Sequence, residues 1–121
     1  MPRLYNLKQG VAQDNDIKPN VVLASADGAI NIEDSTVIIT KASAAALTLA
    51  APTAGTHDGV IINIITSTAY AHTVTQTSPG FNSGSTASDV ATFTAAKGNS
   101  MMIVAYNGVW YASDIHGVAL G

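Results

Sequence analysis

Along most of its length the chain alternates short runs of apolar and β-branched residues with clusters of Gly, Asp, Asn, Ser and Pro. That rhythm belongs to strands and turns: a strand shows its side chains to opposite faces with period two, whereas a helix needs a longer amphipathic stretch. Val21-Val22-Leu23-Ala24 reads as a first strand ending at the turn Asp27-Gly28. Ala29-Ile30-Asn31-Ile32 puts Ile30 and Ile32 on one face, and Glu33-Asp34-Ser35 turns the chain into the β-branched run Thr36-Val37-Ile38-Ile39-Thr40. Ala44-Ala45-Ala46 is too short to nucleate a helix alone. Leu47-Thr48-Leu49 behind it keeps period two, so a strand is expected there. Beyond the breakers Pro52, Gly55 and Asp58-Gly59, residues 60–66 (Val-Ile-Ile-Asn-Ile-Ile-Thr) form the most apolar run. Apolar residues at consecutive positions predict a central strand buried on both faces. His72-Thr73-Val74-Thr75-Gln76 predicts a strand with one polar face, placing His72 at a surface or an interface.

Residues 77–89 are rich in Gly, Ser and Thr and predict a loop, anchored by its only large apolar residue, Phe81. Long loops without regular structure are commonly functional or ordered by a partner. Val90-Ala91-Thr92-Phe93-Thr94 reads as a strand. A hairpin follows, Met101 to Tyr106 and Val109 to Ala112 joined by Asn107-Gly108. Asn-Gly between apolar β-formers is the strongest short-range hairpin signal, because a type I′ turn needs positive φ at both central residues. The apolar tail, residues 115–121, is expected to add a last short strand or to touch a neighbour through Val118 and Leu120. These elements predict an all-β fold over residues 21–121: a single-domain antiparallel β-sandwich or small barrel of about eight or nine short strands. No internal repeat is evident. Residues 1–20 are polar, with Leu4, Tyr5, Leu7, Val11 and Ile17 at no clean period. They read as a frayed terminus or as an extended arm that docks its apolar residues on a neighbouring subunit.

Composition sharpens the picture. A length of 121 residues fits one domain. Hydrophobic residues make up 47% but much of that is Ala, aromatics only 6%, and charged residues 11%, well below the roughly 25% of soluble domains. A thin core and a poorly charged surface with strand edges are both relieved if much of the surface is interface, which predicts obligate oligomerisation. The net charge of −3, with Arg3, Lys8, Lys18, Lys41 and Lys97 scattered, provides no basic stripe and argues against direct nucleic-acid binding. No run approaches the ~20 apolar residues of a membrane helix. Met1 to Lys8 lack the apolar core of a signal peptide, so synthesis in the cytoplasm is expected.

Candidate chemistry is sparse, and an enzyme is not expected. There is no cysteine, hence no disulfide or thiolate site. His57, His72 and His116 lack the short spacings of a zinc site, and Asp114-x-His116 reads as a solvated pair at a strand end. Asp14-Asn15-Asp16 begins like a calcium loop but lacks the Gly and the closing Glu. Glu33 and Asp34 are adjacent, so a strand would point them to opposite faces. No catalytic residue, cofactor or metal site is therefore assigned. Trp110 and Tyr111, with Tyr106 across the turn, present two readings. Either they form a sugar-stacking platform, or one faces the core while the other pairs across the hairpin, and the second is favoured.

The order Leu47-Thr48-Leu49-Ala50-Ala51-Pro52, Gly55, Asp58-Gly59, Ile61-Ile62-Asn63-Ile64, then His72-Thr73-Val74-Thr75, a Gly-rich loop, and Met102 to Tyr111 with its Asn107-Gly108-Val109-Trp110-Tyr111 close, resembles a small β-module. That module recurs in virion proteins of tailed bacteriophages, including head decoration (cement) proteins and pieces of tail fibres. The likeness covers roughly residues 21–113 and is architectural, so it carries over no catalytic residue. It implies a virion structural protein, commonly trimeric, and does not itself place the chain on the virion. The short length, where fibre modules usually belong to longer chains, favours a homotrimeric decoration protein on the capsid exterior, bound to the major capsid protein. Leu4, Tyr5, Leu7, Phe81, Trp110, Tyr111, Val118 and Leu120 are the expected capsid or subunit contacts. The alternative it leaves open is a tail-fibre or glycan-binding virion module, using Trp110, Tyr111 or Tyr70.

Overall fold

In the first half of the chain each strand lies in the opposite sheet from the strand before it. The structure, a computed structural model, describes residues 20–121; the expected arm, with Leu4, Tyr5 and Leu7, lies outside the described residues except for Asn20. Strands β1 (Val21–Ala24), β3 (Ser35–Ile39) and β5 (Ile61–Thr66) are parallel neighbours in one sheet. Strands β2 (Gly28–Ile30), β4 (Ala46–Leu49) and β6 (Thr73–Thr75) are parallel neighbours in the other. The chain thus winds through three flattened coils, each contributing one strand to each sheet.

The direction then reverses. Strand β7 (Val90–Phe93) runs antiparallel beside β6, and β8 (Ser100–Tyr106) antiparallel beside β5. Strand β9 (Val109–His116) forms the hairpin with β8, and β10 (Val118–Leu120) closes beside β7. The first sheet has the order β1-β3-β5-β8-β9 and the second β10-β7-β6-β4-β2. The all-β sandwich is as expected. The barrel alternative is not realised, because the sheets do not close on each other. Antiparallel pairing describes four of the eight strand pairs, and the three-coil stack supplies the four parallel ones.

Alternation explains the core. Val37, Ile39, Ile62, Ile64, Met101, Ile103 and Trp110 point inward from the first sheet, meeting Ile30, Leu47, Leu49, Val74 and Phe93 from the second in one apolar cluster. Asn107 (φ 50°) and Gly108 (φ 81°) both take the positive φ that a type I′ turn demands. Asp58 ties this turn to the loop after β4: its Oδ1 accepts from Asn107 N at 2.9 Å and from Gly55 N at 3.1 Å. Trp110 is 0% exposed, and its Nε1 donates to Ala50 O at 2.9 Å. Small Ala105 stands opposite it on β8, leaving room for the indole.

Two segments depart from expectation. His72 is 0% exposed rather than at a surface. Its Nδ1 accepts from Ala45 N at 2.9 Å, which puts the ring proton on Nε2, 2.9 Å from Thr68 Oγ1 and 3.2 Å from Thr68 O. Both polar ends of the ring are satisfied, so burial costs little. The loop at 77–89 is ordered by the chain itself. Gln76 Oε1 accepts from Gly80 N at 2.8 Å, Gln76 Nε2 donates to Ser78 O at 2.9 Å, and Phe81 is wholly buried. Short 3-10 turns at Phe81–Ser83 and Ser85–Ser88 complete it.

Candidate functional site

Inward-facing residues of the first sheet are apolar except for Ser35 and Thr66 at strand ends, and large apolar residues also fill two of the rows on its outward face. Leu23, Ile38 and Ile65 stand side by side across β1, β3 and β5. Ile61, Val104 and Tyr111 do the same across β5, β8 and β9, and Tyr106 pairs with Val109 at the hairpin end. Leu23 is 64% exposed, Val21 54% and Tyr106 61%. Ile38, Ile65, Met102, Val104 and Val109 are half-buried by these neighbours. Thr36, Asn63 and Met102 form the row between, which ends at Asp114. Among the described residues Asp114 is the only charged residue in any strand before His116 at the end of β9. The other charged residues among those described (Asp27, Glu33, Asp34, Lys41, Asp58, Asp89 and Lys97) all sit in connections.

The outer face of the second sheet is different. Its rows, Ala46-Thr73-Thr92-Ala119 and Ala29-Thr48-Thr75-Val90, carry only short side chains. One outer face is therefore built of small, largely hydroxyl-bearing residues and the other of large apolar ones. Sheets with one solvated face normally place polar residues on it. The first sheet instead has the composition of a sheet covered on both sides.

The expected contact residues divide into three groups. Tyr111 lies on the apolar outer face, paired with Val104. Val118 and Leu120 are half-buried on β10, packed against the core. Trp110 and Phe81, both 0% exposed, are core side chains and present nothing to a partner; this corrects their expected role. The alternation along β9 forces the split, since Trp110 and Tyr111 must point to opposite faces. Sequence reasoning missed Val21, Leu23, Ile38, Ile61, Ile65, Met102, Val104 and Tyr106 as surface groups. Their signal was the consecutive rather than alternating apolar run.

Edges and clefts complete the surface. The outer edge of β9 is partly covered, because Asn82 Oδ1 accepts from Ala112 N at 2.9 Å. At the opposite end, the mouth between β1 and β2 holds a cleft of about 220 Å³ lined by Val22, Ala24, Ile30, Val37 and Leu47. Ser35 Oγ, buried there, has no hydrogen-bond partner among the described residues.

Titratable groups do structural work. Asp27 Oδ1 accepts from Lys41 Nζ at 2.8 Å and from Ala46 N at 2.9 Å. The Lys41 hydrogen bond and then the Ala46 amide hold the Asp27 carboxyl below its ordinary range. Asp34 Oδ1 accepts from Ile61 N at 2.8 Å, while Glu33 Oε2 accepts from Asn20 Nδ2 at 3.1 Å. The adjacent carboxylates thus serve separate partners. Among the described residues no three His, Asp or Glu side chains converge as a metal site would require, and no helix is long and apolar enough to cross a membrane. No protein-family model and no curated protein sequence matches the chain.

Proposed function

We propose that this chain is a structural protein of a tailed-bacteriophage virion: a decoration protein that assembles as a trimer, binds the outside of the major capsid protein lattice and reinforces the head. The observation that carries the reading is the uncovered apolar outer face of the first sheet, where Leu23, Ile61, Tyr106 and Tyr111 project into solvent from a rigid sandwich. A face of that chemistry is made to be covered, and a reinforcing protein acts by adding contact area, with no reaction at any residue. The likeness of residues 21–113 to a β-module of tailed-bacteriophage virion proteins, decoration proteins among them, supports a virion role. Exposed residues of the loop after β6, among them Asn82, Ser83 and Thr86, together with the β10 tail, are the surfaces left for the shell.

The test is a binding assay on undecorated heads. Purified protein should saturate at a copy number in the hundreds per particle and raise the temperature or osmotic shock at which heads burst. No binding to shells, or a handful of copies per particle, refutes it.

The three-coil parallel stack favours a second reading, a module of a tail fibre, because coils of this kind extend along an axis. Binding of a glycan through exposed Tyr70 or Tyr111, lost in Tyr111→Ala without loss of assembly, would select it. Trp110→Ala is the wrong probe, since the indole is in the core.

A further inference from the structure

We infer that the apolar outer face of the first sheet is the surface through which copies of this chain bind one another, leaving the small-residue face of the second sheet outside the contact. This rests on the reading of the chain as an assembling structural protein and says which of its faces does the assembling.

Three observations converge. Strand β5 has the run Ile61-Ile62-Asn63-Ile64-Ile65, apolar on both faces, and occupies the centre of its sheet. Among the described residues only one of those faces is covered: Ile62 and Ile64 are wholly buried, while Ile61 is 40% exposed. The neighbouring strands add to it in two rows, Leu23-Ile38-Ile65 across β1, β3 and β5 and Ile61-Val104-Tyr111 across β5, β8 and β9, with Val21, Thr36, Asn63 and Met102 in the row between. Val21, Leu23, Ile61, Tyr106 and Tyr111 alone offer on the order of 500 Å² to solvent, and the half-buried Ile38, Ile65, Met102, Val104 and Val109 add to it. Patches on monomers reach about 300–600 Å², and each partner of a standard interface gives about 800 Å².

Chemistry selects the occupant. Permanent contacts between identical subunits are the apolar ones, depleted of charge at their centre, because the surfaces never need to remain soluble apart. Within this face no charged side chain occurs until Asp114 and His116 at the far end of β9. Three copies can share it by turning the first sheet toward a common axis, so that each face touches both neighbours and the ring closes. The second sheet, with Ala46, Thr48, Thr92 and Ala119 on its outer side, has too little apolar side chain to do the same.

The chain has no cysteine, so single-thiol variants can be read without background. Leu23→Cys and Tyr111→Cys mark the proposed contact and Thr48→Cys the opposite face, each in the full chain with no capsid present. Sedimentation velocity gives the mass, and the rate of maleimide labelling gives the accessibility of each thiol. The expected result is an oligomer in which the Leu23→Cys and Tyr111→Cys thiols react at least ten times slower than the Thr48→Cys thiol. Tyr111→Lys should dissociate the oligomer into folded subunits, while Thr48→Lys should leave its mass unchanged. An oligomer with three equally reactive thiols overturns the inference and leaves trimer formation standing. A monomer with protected face thiols overturns it by assigning the cover to residues 1–19 of the same copy. A monomer whose face thiols become protected only when undecorated heads are added overturns it by assigning the face to the shell, and leaves the decoration reading intact.

Discussion

Trp110 and Tyr111 are neighbours in sequence with opposite duties, and substitution separates them by free energy. Trp110→Phe retains an aromatic ring but removes the Nε1–Ala50 O hydrogen bond, made to the carbonyl of an exposed residue that water can reach. The lost bond costs about 0.5–1.5 kcal/mol. The missing ring atoms, buried in full, cost roughly 1–2 kcal/mol more. Together the loss is about 1.5–3.5 kcal/mol, and Trp110→Ala, at about 3–5 kcal/mol, is the upper reference. Tyr111→Ala should lose less than about 1 kcal/mol within the subunit, because its ring is largely outside the core. The assay is urea unfolding followed by far-UV circular dichroism, since Trp110 is the only tryptophan and its fluorescence disappears with it. With a slope near 1–3 kcal/mol per molar urea, Trp110→Phe should lower the midpoint by about 1–2 M. All variants must be compared at one protein concentration, because subunit association adds to apparent stability. A Trp110→Phe midpoint equal to wild type, or a Tyr111→Ala loss as large as that of Trp110→Ala at dissociating concentration, would refute the assignment of Trp110 to the core.

Three further outcomes are expected. Gly80 has φ +80°, and a Cβ there would meet the backbone of Ser85, so Gly80→Ala should destabilise by about 1–3 kcal/mol and raise protease cleavage in the 77–89 loop; unchanged proteolysis would contradict the self-ordered loop. His72→Leu strands the buried Ala45 amide, while the Thr68 hydroxyl keeps its bond to Lys41 O, and should cost about 1–3 kcal/mol in thermal or urea unfolding. Because the folded Asp27 carboxyl is held low, its pairing with Lys41 stabilises the fold above the ordinary carboxylate range and is lost as pH falls through the lowered value. Thermal midpoints of wild type and Lys41→Met should therefore differ slightly at neutral pH and converge in acid below about pH 4; a gap that widens in acid would reverse the sign.

Strand positions were legible because turn residues and apolar runs mark them directly. Asp58-Gly59 and Asn107-Gly108 interrupt strands where the sequence suggests, Gly28 of the expected Asp27-Gly28 turn instead opens β2, and β10 forms in the apolar tail. The partners of the strands were not legible, since period two fixes which face a residue takes but not which strand lies beside it. Parallel coiling left no repeat to detect, because the first advance in its sheet runs from Val21 to Thr36 and the next from Ser35 to Ile62. His72 was misplaced because a histidine in an alternating strand looks polar; only the fold supplies Ala45 N and Thr68 to satisfy both ring nitrogens. The candidate surface was half legible. The apolar run of β5 shows that both faces want cover, yet only the three-dimensional arrangement shows that one of them goes without.

Strand polarity gives this sandwich a finished end and an unfinished one. Where β9 and β10 close the two sheets, the chain has reversed direction and Asn82 occupies an amide that another strand would need. At β1 and β2, among the described residues, both outermost backbones stand open in the orientation of the windings behind them. Lengthening such a protein by one more winding is therefore easiest at the β1 and β2 end, where a parallel turn of the same kind can be laid with the hairpin and tail untouched.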